Sequence, residues 1–131
     1  MAGLKIAKRF AAILAAIVLL AISPVLTLTA GADEITWRMK SSHHNVVSVK
    51  FYSQSRNAVW PGSDEVYIID DDRVQTYRLS CRSGEKICYG AWVRNRSEEY
   101  WGVGQDDEQG CDECCRACED GGRTEIIDLL P

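Results

Sequence analysis

Period two dominates the chain from Ile35 onward, the spacing of side chains on the pleat of a strand. Ile35, Trp37 and Met39 alternate with Thr36, Arg38 and Lys40. Val47, Val49 and Phe51 alternate with Ser48 and Lys50. Val66 and Ile68 share one face, with Tyr67 and Ile69 on the other. Tyr77, Leu79 and Cys81 alternate with Arg78 and Ser80. Ile87, Tyr89, Ala91 and Val93 share a face, opposite Cys88, Gly90 and Trp92. Two further short strands are predicted at Glu99–Val103 and Thr124–Leu129.

Turn-forming residues separate these runs: Ser41-Ser42-His43-His44-Asn45, Pro61-Gly62-Ser63-Asp64, Asp70-Asp71-Asp72, Ser83-Gly84-Glu85 and Arg94-Asn95-Arg96-Ser97. The connections after Asp72 and at Ser83-Gly84-Glu85 are short. Short links force antiparallel neighbours, because a parallel crossover takes a dozen or more residues. About seven short strands without a long helical period predict an all-β fold. The expected form is an antiparallel two-sheet sandwich, with a small barrel as the alternative. There is no internal repeat and no second domain.

The first 32 residues stand apart. Lys5, Lys8 and Arg9 precede the uncharged apolar run Phe10–Ile22, and Ala30-Gly31-Ala32 offers a small-residue cleavage site. This is the grammar of a secretory signal peptide, with cleavage expected after Ala32. The competing reading is a retained membrane anchor, since the uncharged stretch reaches Thr29. Pro24 and two threonines weaken it as a spanning helix, so no stable membrane span is expected after cleavage. The remaining residues 33–131 form one domain of 99 residues. Three of the 15 basic residues and none of the 19 acids lie in the leader, leaving 12 against 19, a formal −7. An acidic chain without a Lys/Arg cluster is a poor partner for nucleic acid. A domain of this size buries only about 60–65% of its unfolded surface, so covalent staples would help it.

All six cysteines lie in that domain: Cys81, Cys88, Cys111, Cys114, Cys115 and Cys118. Export places them where disulfides form and persist. The spacing C-x2-C-C-x2-C also reads as metal-site grammar for Cys111, Cys114, Cys115 and Cys118. Acids before the cluster and Gly121-Gly122 after it predict a short helix over about Asp112–Glu119, or a loop. On a helix the four sulfurs would form one stripe spanning about 10.5 Å. One zinc needs its four thiolates within about 4 Å of each other, so an intact helix cannot cage it. A stripe suits docking through disulfides.

Cys81 and Cys88 flank what reads as a hairpin tip, a register that would place them opposite one another. Two arrangements stay open. In one, each of these takes a cluster cysteine and the cluster closes one bond internally. In the other, Cys81–Cys88 is local and the cluster makes two bonds within itself. The first is favoured because long loops gain more from closure; adjacent Cys114 and Cys115 are not expected to pair. A redox reading of Cys111–Cys114 is opposed by Asp106, Asp107, Glu108, Asp112 and Glu113, which raise a thiol pKa.

The segments FYSQSRNAVWPG, VYIIDDD, LSCRSGEKICYGAWV, YWGVG and CDECCRAC together resemble a group of small, uncharacterised exported proteins of Gram-negative bacteria. The resemblance covers nearly all of residues 33–131. It implies a bacterial source and a secreted or periplasmic address. It brings no activity, cofactor or catalytic residue with it.

The remaining candidates are weak as chemistry. His43 and His44 sit in a turn and are expected in solvent, and one histidine doublet defines no triad. Asp70-Asp71-Asp72 lacks the calcium-loop pattern. Glu98-Glu99 has no acid partner for glycosidase work. Asn95-Arg96-Ser97 matches a glycosylation pattern that matters only in a eukaryotic host. Trp60, Tyr100 and Trp101 are read as loop aromatics, candidates either for ligand binding or for capping the sandwich. Trp37 and Trp92 lie in strands, and at least one is expected in the core. The expectation is a non-enzymatic binding module without a cofactor, whose partner is a protein or glycan of the cell envelope. Metal binding through the cysteine cluster and thiol–disulfide exchange are the alternatives.

Overall fold

The computed structural model describes residues 32–131; the leader expectation therefore lies outside the described residues, apart from Ala32. Nine strands follow in order: β1 (Asp33–Ser41), β2 (Val47–Ser53), β3 (Val59–Trp60), β4 (Tyr67–Ile69), β5 (Gln75–Cys81), β6 (Lys86–Val93), β7 (Arg96–Gly102), β8 (Cys115–Ala117) and β9 (Gly122–Leu129). They form two sheets. The smaller has the order β5-β1-β9. The larger has the order β3-β2-β6-β7, with β4 also on β2 and β8 also on β6. The all-β two-sheet expectation holds, and the seven predicted strands are all present. β3 and β8 are additional short pieces. The pairings are antiparallel except β1 with β9, which is parallel.

The core lies between the sheets, where the period-two faces meet. Ile35, Trp37, Met39, Tyr77, Leu79 and Leu129 oppose Val47, Val49, Phe51, Ile69, Ile87 and Ala91. Trp37 packs on Phe51 at 5.1 Å between ring centroids, and Phe51 on Tyr77 at 5.6 Å. Each such side chain contributes about 1.5–3 kcal/mol through burial.

The expected hairpin at Ser83-Gly84-Glu85 does not form. The turn is tight, with the Glu85 amide donating to the Arg82 carbonyl at 2.9 Å. It nevertheless carries the chain from β5 in one sheet to β6 in the other, so Cys81 faces Asp33 across its ladder and Cys88 faces Tyr52. The cause is the burial pattern of the two strands. β5 alternates buried and exposed positions and accepts an edge. β6 buries residues of both faces, among them Ile87, Cys88, Ala91 and Trp92. It therefore needs neighbours and cover on both sides. A short link fixes how close strand ends are, not which sheet each joins.

The helix expected over Asp112–Glu119 is also absent. A turn leads into β8, which pairs with Lys86–Cys88. An isolated helix of two turns is unstable in water, whereas the open edge of β6 supplies ladder hydrogen bonds. The pairing of cysteines follows the favoured arrangement: Cys81–Cys118, Cys88–Cys115 and Cys111–Cys114, with none free. Cys81–Cys118 ties β5 in the smaller sheet to the chain just after β8, beside the larger.

Candidate functional site

Two edges of the larger sheet are interrupted in the same way. β3 pairs with Phe51 and Tyr52 and β4 with Val47–Val49, leaving Lys50 opposite neither. Pro61 has no N–H to continue the ladder, and the chain loops out over residues 61–66 before resuming. On the other side β7 and β8 both pair with β6, and residues 103–114 leave the edge between them. That excursion crosses the outer face of the sheet. Gly90 permits the crossing: a Cβ there would lie 2.0 Å from the Gly104 carbonyl oxygen. Glycine inside a strand commonly marks such close backbone approach. The loop is held by Val103 N–H on the Tyr89 carbonyl at 3.0 Å and by Tyr89 N–H on the Cys114 carbonyl at 3.0 Å. Tyr52, Cys88 and Val103 form a small second core beneath it, with Val59, Cys111 and Cys115 packed alongside.

Between these excursions lies a cleft of about 420 Å³, with Lys50 and Tyr52 on β2, Ser63 on one loop and Asp106 and Asp107 on the other. Lys50 points outward from its strand yet is only 7% exposed. Its ammonium donates to the Ser63 carbonyl at 2.5 Å. Among the described residues it has no carboxylate partner. An ammonium carries three donors, so two remain without a protein acceptor. The Tyr52 hydroxyl accepts the Asp106 N–H at 3.0 Å. Burial, with the charges of Asp106 and Asp107 adding to it, pushes the Tyr52 phenol up to about 12 despite that amide. Tyr52 is therefore a neutral donor, and its proton has no acceptor among the described residues.

One wall is supported by Glu85, whose side chain is 1% exposed. Its carboxylate accepts from Ser53 Oγ at 2.6 Å, Arg56 Nε at 2.5 Å, Arg56 Nη2 at 3.1 Å and the Arg82 N–H at 3.0 Å. Burial alone would raise this carboxyl; the bonds from Arg56, Ser53 and Arg82 outweigh it and hold it at about 2. Arg56 is thereby engaged, and it also lies 5.7 Å over the Trp60 ring.

The aromatic candidates are not brought together. Trp60 is on β3 and Trp101 on β7, with β2 and β6 between them. Both are half-buried against the core. Trp101 Nε1 donates to the Leu130 carbonyl at 2.7 Å and its ring meets His43 edge-on, which closes one end of the sandwich. Tyr100 faces outward, 43% exposed, with its hydroxyl on Gln109 Oε1 at 3.3 Å. His43 corrects the expectation of a solvent-exposed turn. Its side chain is 1% exposed, Nε2 is bound to Glu99 Oε1 at 2.7 Å, and Nδ1 accepts the Asn45 N–H at 3.0 Å. Trp101 supplies the cover that the sequence pattern does not show.

Asp71 is bound by Arg73 within its own turn, and this guanidinium lowers its carboxyl pKa. Asn95 occupies the β6–β7 turn with φ 66°. All six sulfurs are in disulfides, so the cluster presents no thiolate to a metal. Among the described residues no group of His, Cys, Asp and Glu is arranged to hold one. Nor is any helix among them long and apolar enough to cross a membrane. Sequence reasoning missed Lys50 and Glu85 because both look like ordinary solvated charges; the glycine within β6 was the available signal. No family model matches the chain, and no curated protein or solved structure matches it either.

Proposed function

We propose that the protein is an exported, non-enzymatic binding module of a bacterial cell envelope, and that its ligand sits in the outer-face cleft. One observation carries the reading: a buried ammonium and a buried phenol keep hydrogen-bond donors unused at the floor of a polar cleft. Buried polar groups are ordinarily satisfied, and convergent donors in a concavity are the usual mark of a ligand site. The scaffold around it is cross-linked by three disulfides in a domain of 99 residues. Those bonds suit an oxidising compartment, in keeping with the leader-like N-terminus. Protein or glycan components of the envelope are the partners within reach of such an address.

The test has two parts. Intact mass of protein exported by its native leader should begin at Asp33 and fall six hydrogens short of the reduced chain. A mass retaining the leader, or alkylation without prior reduction, refutes the exported staple. Isotope-labelled protein titrated with a solubilised envelope extract, its protein and glycan components retained, should then shift amide resonances at Lys50, Tyr52, Ser63 and Asp106. Shifts elsewhere only, or none, refute the cleft.

A further inference from the structure

We infer that the cleft takes an α-amino-acid head group, its carboxylate on Lys50 and Tyr52 and its ammonium on Asp106 and Asp107; this rests on the reading of the cleft as the ligand site. The cleft contains charges of both signs that do not neutralise each other. Lys50 lies at the floor, buried and without a carboxylate partner. Asp106 and Asp107 lie at the lip, both exposed. Asp107 Oδ2 accepts from Gln54 Nε2 at 2.9 Å, and the Asp106 carboxylate has no hydrogen-bond partner among the described residues. Attraction between charges is strongest where water is excluded, so the floor selects a negative group. Lys50 and Tyr52 stand two residues apart on one face of β2, and both line the cleft.

A plain anion fits poorly. It would approach a domain whose residues 33–131 carry a formal charge of −7, and would pass two carboxylates. A plain cation would be favoured at the lip and repelled at the floor. A ligand carrying both charged groups on one carbon atom turns each repulsion into a contact. Of the other polar wall groups, Arg56 and Ser53 compete little, because both are already engaged with Glu85.

The loop suits a clean test. Asp106 and Asp107 have φ values of 60° and 57°, a region that asparagine adopts at least as readily as aspartate. Asp106→Asn/Asp107→Asn therefore removes charge without disturbing the loop. Titration calorimetry with alanine, glutamate and a γ-glutamyl dipeptide should give binding. Propionate and propylamine, each with one of the two charges, should bind about ten-fold more weakly or worse. The double Asn variant and Lys50→Met should each weaken alanine by about ten-fold or more; if Lys50→Met fails to fold, the Asn variant decides alone. A dipeptide tighter than glutamate means the head group is carried on a larger molecule, and equal or weaker binding means a free amino acid. Propionate matching alanine, or an Asn variant with unchanged affinity, overturns the inference. Silence of every amino-acid probe while the envelope extract still shifts cleft resonances overturns the head-group assignment and leaves the cleft standing.

Discussion

Glu85→Gln probes the group that holds the turn between the two sheets. Four donor contacts converge on the Glu85 carboxylate, and its backbone carbonyl accepts the Cys118 N–H at 2.7 Å. A carboxyl held at about 2 rather than 4.5 corresponds to roughly 3 kcal/mol of stability at neutral pH, at about 1.36 kcal/mol per unit. The folded pKa lies below the unfolded one, so the unfolded chain takes up the proton first as pH falls. The contribution is complete above about pH 5 and is lost progressively toward pH 2. Urea unfolding followed by tryptophan fluorescence measures it; guanidinium chloride would screen the Arg56–Glu85 pair. Glu85→Gln should cost roughly 3 kcal/mol at pH 7 and below about 1 kcal/mol at pH 2, where the wild-type carboxyl is itself about half protonated in the folded state. The other depressed carboxyls, Asp71, Glu99 and Glu125, are largely unaffected by the substitution and cancel in the difference. An equal penalty at both pH values would show that packing rather than charge carries the effect, and would refute the reasoning.

Three further outcomes are expected. Replacing both members of Cys81–Cys118 by serine opens a separation of 37 residues and should cost about 4 kcal/mol, whereas opening Cys111–Cys114, a separation of 3, should cost about 2 kcal/mol; thermal melts giving the reverse order would contradict the loop-closure argument. Gly90→Ala drives a methyl group against the Gly104 carbonyl, so the loop over residues 103–109 should lift, with about 1–3 kcal/mol lost and faster hydrogen exchange at Asp106. Trp101→Ala should cost about 3 kcal/mol in urea melts and Tyr100→Ala under about 1 kcal/mol, since only the first packs on the core.

The strands and the need for a staple were legible in the order of residues alone. Period two assigns Trp37, Val49, Phe51 and Leu79 to one side of their strands, and that side is the core. The six cysteines and the wide separation of Cys81 and Cys88 from the cluster favoured long-range bonds, which form. Tertiary structure alone decided the rest. Alternation says which residues share a face, but not which strand lies beside another; β5 and β6 leave a four-residue turn for different sheets because β6 must be covered on both faces. Alternation also marks a polar face as outward without saying whether anything covers it. Lys50 and His43 look solvated along the chain, yet each is buried by segments distant in sequence: Lys50 by the loops over 61–66 and 103–109, His43 by Trp101. The cleft exists because a glycine in β6 lets one backbone cross another; the glycine marks a close approach along the chain, and only the fold says which backbone makes it.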